Sequence, residues 1–376
     1  MNEKEIAEIR RRFRPDKGNI THVRGCYVND QRQIIAAFDQ SLAITPQEEG
    51  ERILALLKRS LSGTLGKNLI DITFDTKQVV DSDEHRLLMA LRNSGLKDED
   101  AVQSFYQRVI QSLSLEGHYL ILLTNDTYDV PYRGGGGETL EDASTEVFSY
   151  VLCSICPVKM TKPALRYDGS DQMLRSLKTD WVVSAPELGF LFPAFDDRSA
   201  NIYNALYYTQ NAADNHAAFV DAVFRCEVPM PAAEQKETFQ AMLENTLDDD
   251  CRFEVVQAVR EELCGMIETH KANHETEPLV VSKGTVKRLL ESCGVSEERV
   301  ADFDEKFDAA YGPGADISPR NLVDPKVEVR TPDVTITVSP ERGDLVETRM
   351  INGRKYILIR ADEGVEVNGV RIHITE

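Results

Sequence analysis

Aspartates that follow apolar segments are the residues of this chain best suited to carry chemistry. One pair follows the apolar run 118–123, and a second group follows the run 189–195. The candidate residues are Asp126, Asp129, Asp196, Asp197 and Arg198. Side chains held at strand ends often form catalytic and ligand-binding sites. If the two strand ends met, these carboxylates and the guanidinium could hold Mg²⁺ or act as acid and base in phosphoester hydrolysis.

The same aspartates also have a structural explanation. Asp commonly begins turns, because its side chain accepts a hydrogen bond from the backbone two residues further on. No feature of the sequence brings the two groups together in space, as a shared catalytic site would require. We therefore favour a role in turns and keep a Mg²⁺-dependent phosphoester hydrolase as the alternative function.

A lysine in a glycine-containing loop, Gly63 to Asn68, invites comparison with phosphate-binding loops. Leu61 stands where such a loop has its first glycine, and Asn68 stands where Ser or Thr follows the lysine. The loop also follows a predicted helix, whose negative end would face a phosphate. With no dinucleotide-binding glycine motif after a strand either, we predict no cofactor.

The spacing of Cys153 and Cys156 is that of redox pairs and zinc sites. A redox pair places its first thiol at a helix N-terminus, whereas this pair lies in an apolar segment that predicts a buried strand. A zinc site would need a second pair of ligands with similar spacing, which the sequence lacks. We predict two buried packing cysteines.

His270 and His274 are four residues apart on a predicted helix, a spacing that could chelate zinc. In the zinc-protease motif a glutamate follows the first histidine, and Lys271 occupies that place here. We therefore expect a solvated pair and predict no metal.

Charge narrows the choice of partners. The chain of 376 residues has 63 acidic and 43 basic side chains, a net charge of −20, so polyanions are repelled at long range. The one basic cluster, Arg10 to Lys17, is explained by a helix that begins after Asn2 and ends in arginines, which predicts a solvated face. We predict no nucleic-acid partner.

Apolar patterning and cysteine usage bear on location. No apolar run approaches the roughly 20 residues needed to cross a bilayer, and the first residues lack the apolar core of a signal peptide. Seven cysteines fit reduced thiols better than a disulfide framework. We predict a cytoplasmic protein with no membrane partner.

The patterning predicts an α+β protein with a mostly antiparallel sheet, because strands come in runs rather than in βαβ alternation. The predicted body strands are 20–28, 33–38, 68–74, 118–123, 147–158, 181–183 and 190–195, while 201–208 fits a strand or a helix. The dense apolar runs among them fit strands covered on both faces.

Composition divides the chain into four parts. They are an α+β body at 1–230, a helical segment at 231–312, a proline-rich linker at 313–333 and a small antiparallel β unit at 334–376. The last part carries two predicted type I′ hairpins, at Asn352-Gly353 and Asn368-Gly369. Because small isolated sheets are marginally stable, we expect the β unit to dock on the body or pair with a partner.

Several stretches resemble a family of uncharacterised proteins, the domain-of-unknown-function 4317 family, found mainly in anaerobic Gram-positive bacteria. The matching stretches are 3–6 with 12–13, 25–28, 61–68, 128–131, 156–158, 189–195 and 363–369. The resemblance implies a free-standing cytoplasmic protein and implies no catalytic role.

These observations predict a non-catalytic, acidic binding or scaffold protein that acts through protein–protein contacts. A protein partner or self-association is expected.

Overall fold

A computed structural model describes residues 1–133, 139–177, 179–227, 229–248, 251–273, 275, 279–324, 326–362, 364–367 and 370–372. The chain divides into two compact units, Met1–Ala232 and Ala233–Glu376.

The first unit is built on one antiparallel sheet. The strands of this unit are β1 (His22–Val28), β2 (Ile34–Ser41), β3 (Leu69–Thr73), β4 (His118–Arg133), β5 (Thr139–Met160), β6 (Ala164–Asp168), β7 (Met173–Leu177), β8 (Trp181–Val183), β9 (Leu188–Phe192), β10 (Ala194–Asp196), β11 (Ser199–Asn201) and β12 (Asn204–Thr209). Strands β6 and β7 form a separate pair, and so do β10 and β11. The main sheet has the order β2-β1-β4-β5-β9-β12-β3, with β8 added to β5. The predicted antiparallel α+β class is confirmed.

Helices cover both faces of this sheet. They are α1 (Glu3–Arg12), α2 (Gln47–Lys58), α3 (Thr76–Asp81), α4 (Asp83–Asn93), α5 (Glu99–Ser112) and α6 (Ala217–Phe224). One apolar core packs the sheet against α4, α5 and α6, and a second packs its other face against α1 and α2. We call these the α4–α6 face and the α1–α2 face.

The central strands read as continuous apolar runs because alternate side chains enter different cores. In β9, Phe190 enters the core on the α4–α6 face and Leu191 the core on the α1–α2 face, and every residue of the strand is buried. The expectation of strands covered on both faces therefore holds for β9. It is wrong for β8, whose three side chains are exposed.

Two segments differ from their predicted bounds. The strand predicted at 118–123 continues to Arg133, and it stays paired with β5 through the polar residues that follow Leu123, with register shifts at Pro131. Of residues 201–208, which fitted a strand or a helix, those from 204 onward belong to strand β12, which ends at Thr209 and is paired on both sides.

The second unit has helices α7 (Ala232–Leu247), α8 (Phe253–Ala272), α9 (Lys283–Ser292) and α10 (Glu297–Tyr311). Its strands are β13 (Val281–Ser282), β14 (Asp316–Ile317), β15 (Val327–Arg330), β16 (Thr335–Val338), β17 (Val346–Ile351), β18 (Arg354–Ile359), β19 (Val365–Val367) and β20 (Val370–Ile372). The helices share one apolar core, and Val327, Val338 and Val346 form a smaller one.

The stretch predicted as a linker, 313–333, contains regular structure. Ile317 and Leu322 are buried in the helical core, β14 pairs with β13, and β15 pairs with β16. Pro319 starts a short 3₁₀ turn, where its missing N–H group costs nothing. Pro319 therefore begins a turn inside this stretch of regular structure.

The first Asn-Gly hairpin is confirmed. Asn352 and Gly353 have φ values of 51° and 74°, as a type I′ turn requires, and they join Ile351 to its partner Arg354. In the second hairpin Val367 pairs with Val370, but Asn368 and Gly369 lie outside the described residues.

Gly189 tests the tight packing at the centre of the sheet. A Cβ atom there would lie 2.4 Å from the carbonyl oxygen of Cys153, so Gly189→Ala must displace backbone. We expect a loss of about 2 kcal/mol in the free energy of unfolding, measured by urea titration.

Gly50 is the matched control. A Cβ atom there would meet nothing within 4 Å, and the residue lies inside α2. Gly50→Ala should stabilise the protein by about 0.5–1 kcal/mol. Equal effects of the two substitutions would contradict the packing described for Gly189.

Candidate functional site

Helix α1 carries charged side chains toward the sheet. Asn2 caps the helix and forms a capping box with Glu5, which fixes where α1 begins. Glu8 and Arg12, four residues apart, therefore lie on one side of the helix. Both side chains are largely buried, with 12% and 14% exposed.

The predicted solvated arginine face is wrong for two of its members. Arg12 ion-pairs with Asp126, and Arg10 donates a hydrogen bond to the carbonyl of Leu61. Burial lowers the pKa of Arg10. Arg11, Arg14 and Lys17 are exposed, as predicted.

The carboxylate of Asp126 is buried and surrounded by donors. It accepts from Arg12 Nε at 3.0 Å and Nη2 at 3.4 Å, from the backbone N–H groups of Asn19 at 3.0 Å and Thr127 at 2.9 Å, and from the hydroxyl of Tyr150 at 3.1 Å. Burial, followed by the charge of Asp126, raises the pKa of Tyr150. Both oxygens of Asp126 therefore accept hydrogen bonds from groups of the chain itself.

Arg198 reaches the same region from a turn. Its Nη1 donates to both oxygens of Glu8, at 2.8 and 2.7 Å, and its Nη2 donates to the carbonyl of Pro131 at 2.7 Å. The hydroxyl of Tyr128 donates to Glu8 at 2.7 Å, and the Arg12 guanidinium lies 4.7 Å from the centre of the Tyr128 ring. Burial, with the Glu8 hydrogen bond and charge, raises the pKa of Tyr128 to about 12.

Helix α1 thus joins Asp126 and Arg198 in one buried network. Sequence reasoning missed the residues that connect them, Glu8, Arg12, Tyr128 and Tyr150. A usable signal was present, because Glu8 and Arg12 have the i,i+4 spacing of an ion-pairing helix face. Their direction toward the sheet depends on tertiary packing, which that spacing alone does not reveal.

The other candidate aspartates do not join this network. Asp129 lies three residues beyond Asp126 inside β4, so its side chain points to the opposite face, and it is exposed. Asp126 and Asp129 therefore occupy neither a strand end nor a turn, contrary to both interpretations of the sequence.

Asp196 and Asp197 are exposed at the hairpin between β10 and β11. Asp197 and Arg198 have φ values of 48° and 58° and form the centre of its tight turn. Among the described residues, no three or more His, Cys, Asp or Glu side chains are arranged to hold a metal ion.

Cys153 and Cys156 are buried, as predicted, and both thiols are free. Being three residues apart on β5, they enter the cores on opposite faces of the sheet, so they cannot share a metal or a disulfide. Burial raises the pKa of Cys156 to about 12 and that of Cys153 well above its usual value. Of the histidine pair, His270 lies in α8 and His274 lies outside the described residues.

A two-stranded ribbon extends from the sheet, and we call residues 158–183 the arm. Its base pairs Val158 with Val183 and Met160 with Trp181, and the same register continues through β6 and β7 to the pair Asp168 and Met173. The ring of Trp181, the one tryptophan of the chain, lies 4.5 Å from that of His118.

Large apolar side chains of the arm are exposed. They are Met160, Leu165, Tyr167, Met173, Leu174, Trp181, Val182 and Val183. Sequence reasoning predicted β8 but not the hairpin of β6 and β7. An apolar side chain recurs at every second position in Leu165 and Tyr167, but the run is short and interrupted by charge.

Comparison with known protein families identifies a family that matches this chain. The family described as domain of unknown function (DUF4317) matches residues 1–370. The chain belongs to the DUF4317 family. This match confirms the resemblance and spans both units, and the description of DUF4317 brings no activity with it. No curated protein matches the chain, and no solved structure does. Among the described residues, no helix is both long and apolar enough to span a membrane.

The ion pair between Arg12 and Asp126 should be important for stability. Asp126→Asn leaves a largely buried guanidinium without its charged partner, so we expect a loss of about 3 kcal/mol in urea unfolding. Arg12→Met should cost a similar amount, and the double variant should cost clearly less than the sum. Arg11→Met, at an exposed position of the same helix turn, serves as control. Additive losses would contradict a direct interaction.

Thiol reactivity should follow burial. Near pH 8, a disulfide reagent should label exposed Cys251 quickly and should label Cys26, Cys153 and Cys156 only after unfolding. Cys251→Ser should remove the fast phase. Fast labelling of the buried thiols in the folded protein would contradict this assignment.

Burial raises the pKa of Cys26 from 9.0 to about 11, so its contribution to stability is complete below pH 9 and is lost as pH rises toward 11.

Proposed function

We propose that this chain is a non-catalytic cytoplasmic binding protein that self-associates through its arm. The observation that carries the proposal is the exposed apolar surface of a two-stranded ribbon. Side chains of Leu165, Tyr167 and Leu174 are 68%, 65% and 67% exposed. An isolated ribbon is marginally stable in water, and exposed apolar patches commonly mark contact surfaces.

The two faces of the ribbon differ in character. Tyr167 pairs directly with Leu174, and Leu165 lies two residues from Tyr167, so the three share one face. On the other face Arg166 lies 3.2 Å from Asp168, and Arg175 pairs across the strands with Arg166. One apolar face and one charged face are typical of a ribbon that packs on one side only.

Charge favours a second copy of the chain as the occupant. Residues 158–183 contain five Lys and Arg against three Asp, a net charge of +2, while the whole chain carries −20. A basic, apolar arm is complementary to an acidic surface, and the rest of the chain is strongly acidic. Symmetric exchange of arms between two copies buries both arms in one closed dimer.

The positions of the candidate aspartates favour this proposal over the Mg²⁺-dependent hydrolase alternative. The alternative required the candidate aspartates to converge, but Asp126 is occupied by its donors, and Asp129 faces the opposite side of the sheet. The net charge of −20 also supports a partner other than nucleic acid.

Sedimentation equilibrium tests the proposed dimer. The wild-type chain should form a concentration-dependent dimer, and the double variant Leu165→Asp with Leu174→Asp should be a monomer, because two carboxylates would be buried without partners. Rising salt should weaken the dimer, since the proposed contact is partly electrostatic. Both positions are exposed, so the variant's free energy of unfolding should change by less than about 0.5 kcal/mol.

Ile44→Asp is the matched control, because Ile44 is 87% exposed and lies outside the arm. It should leave the dimer intact. A wild-type chain that stays monomeric at about 100 μM would reject self-association, and a variant that still dimerises would exclude the arm as the contact.

A further inference from the structure

A polar cleft of about 600 Å³ lies in the first unit, apart from the arm. One wall is made by the sheet, with His22 and Arg24 from the start of β1 and Asn125 from the middle of β4. The other wall is the end of α4, with Arg92, and the connection from α4 to α5, with Lys97. Its volume is in the range of small-molecule sites.

The cleft lies where the backbone pairing of β1 with β4 ends. The last pair joins Arg24 to Leu123, and beyond it the hydroxyl of Thr124 donates to the carbonyl of His22 at 2.9 Å. The helix connection then approaches Asn125 closely at Gly95, where a Cβ atom would lie 3.3 Å from the Asn125 amide nitrogen. Gly95 has φ of +56°, which also favours glycine.

Three of the six charged residues that line the cleft are already paired. Arg24 Nη2 lies 2.6 Å from Glu99, and its Nη1 donates to the carbonyl of Leu96 at 2.7 Å. The carboxylate of Asp126 is held by Arg12. Asp39, near Arg24, is the remaining lining carboxylate and is exposed.

Two cationic side chains of the lining, Arg92 and Lys97, have no carboxylate partner among the described residues. Arg92 Nε donates to the carbonyl of Ser149 at 2.9 Å and its Nη1 to Asn93 at 3.2 Å, and the end of α4 offers only a partial negative charge. Burial lowers the pKa of Arg92, as for a guanidinium that lacks a charged partner. In the part of the chain that the structure describes, neither Arg92 nor Lys97 has a carboxylate within 4.0 Å.

The rest of the lining defines the ligand class. Hydroxyl and amide groups dominate it, with Thr21, Ser94, Asn125 and Thr127 among them. Tyr150, the one Phe, Tyr or Trp side chain of the lining, is buried and its hydroxyl is bonded to Asp126, so it presents no open ring face. The exposed ring of the lining is the imidazole of His22. We propose that the cleft binds a small hydroxylated anion, a sugar phosphate or a sugar acid, through Arg92 and Lys97.

Calorimetric titration at low salt with four probes tests the site. Glucose 6-phosphate or glucuronate should bind with measurable heat. Comparing these two titrations distinguishes a phosphate from a carboxylate ligand. Glucose should not bind, because it lacks the charge, and inorganic phosphate should bind more weakly than the sugar phosphate, because it lacks the hydroxyl groups. Failure of both sugar anions at millimolar concentration would overturn the proposal, as would equal binding of glucose.

Two substitutions connect binding to the named side chains. Lys97→Gln and Arg92→Gln should each lower the affinity for the anion by about 10-fold, the usual effect of removing a charge-assisted hydrogen bond. Lys97 is exposed, so its variant should fold normally even if Arg92→Gln does not. Arg86→Gln is the control, since Arg86 lies on the same helix with its side chain 64% exposed and paired with Asp83. Unchanged affinity in Lys97→Gln would reject the assignment.

Discussion

The fold depends on one constraint, that the central strands bury side chains on both faces of a single sheet. Every residue of β9 is buried, and neighbouring residues of β5 enter different cores. A strand in this position has no room for extra atoms, which is why glycine stands where β9 approaches Cys153. It also separates two cysteines whose spacing would otherwise suggest a shared site. The packing requirement therefore explains several features that resemble chemistry in the sequence.

Polar groups near this sheet are satisfied by one another. Asp126 would be costly to bury alone, and Arg12, Tyr150 and two backbone N–H groups compensate its charge. Arg198 extends this arrangement from a turn to helix α1. Buried charges that are completely bonded position a helix on a sheet, and they leave no free oxygen for a metal. Uncompensated charge is found instead at Arg92 and Lys97.

Sequence patterns correctly predicted the helix that follows Asn2, the antiparallel class and the Asn352-Gly353 turn, because these depend on capping, local periodicity and turn chemistry. Sequence patterns failed where pairing between distant residues determines the secondary structure. Thr124 to Tyr128 read as a loop, yet pairing with β5 keeps them in a strand. At the candidate site, Asp126 was found, but its partner Arg12 is 114 residues away, and no local pattern connects the two. For the same reason, local patterns could not predict which face of α1 packs against the sheet.

The chain's single tryptophan stands at the base of the arm, beside His118, and its side chain is 49% exposed. Intrinsic emission excited at the red edge of protein absorbance therefore comes from this one location. Tyrosines such as Tyr106 and Tyr207, by contrast, lie inside the core. Steady-state spectra and quenching by small solutes thus give a native optical probe of the ribbon's surroundings, separate from any signal of the buried interior.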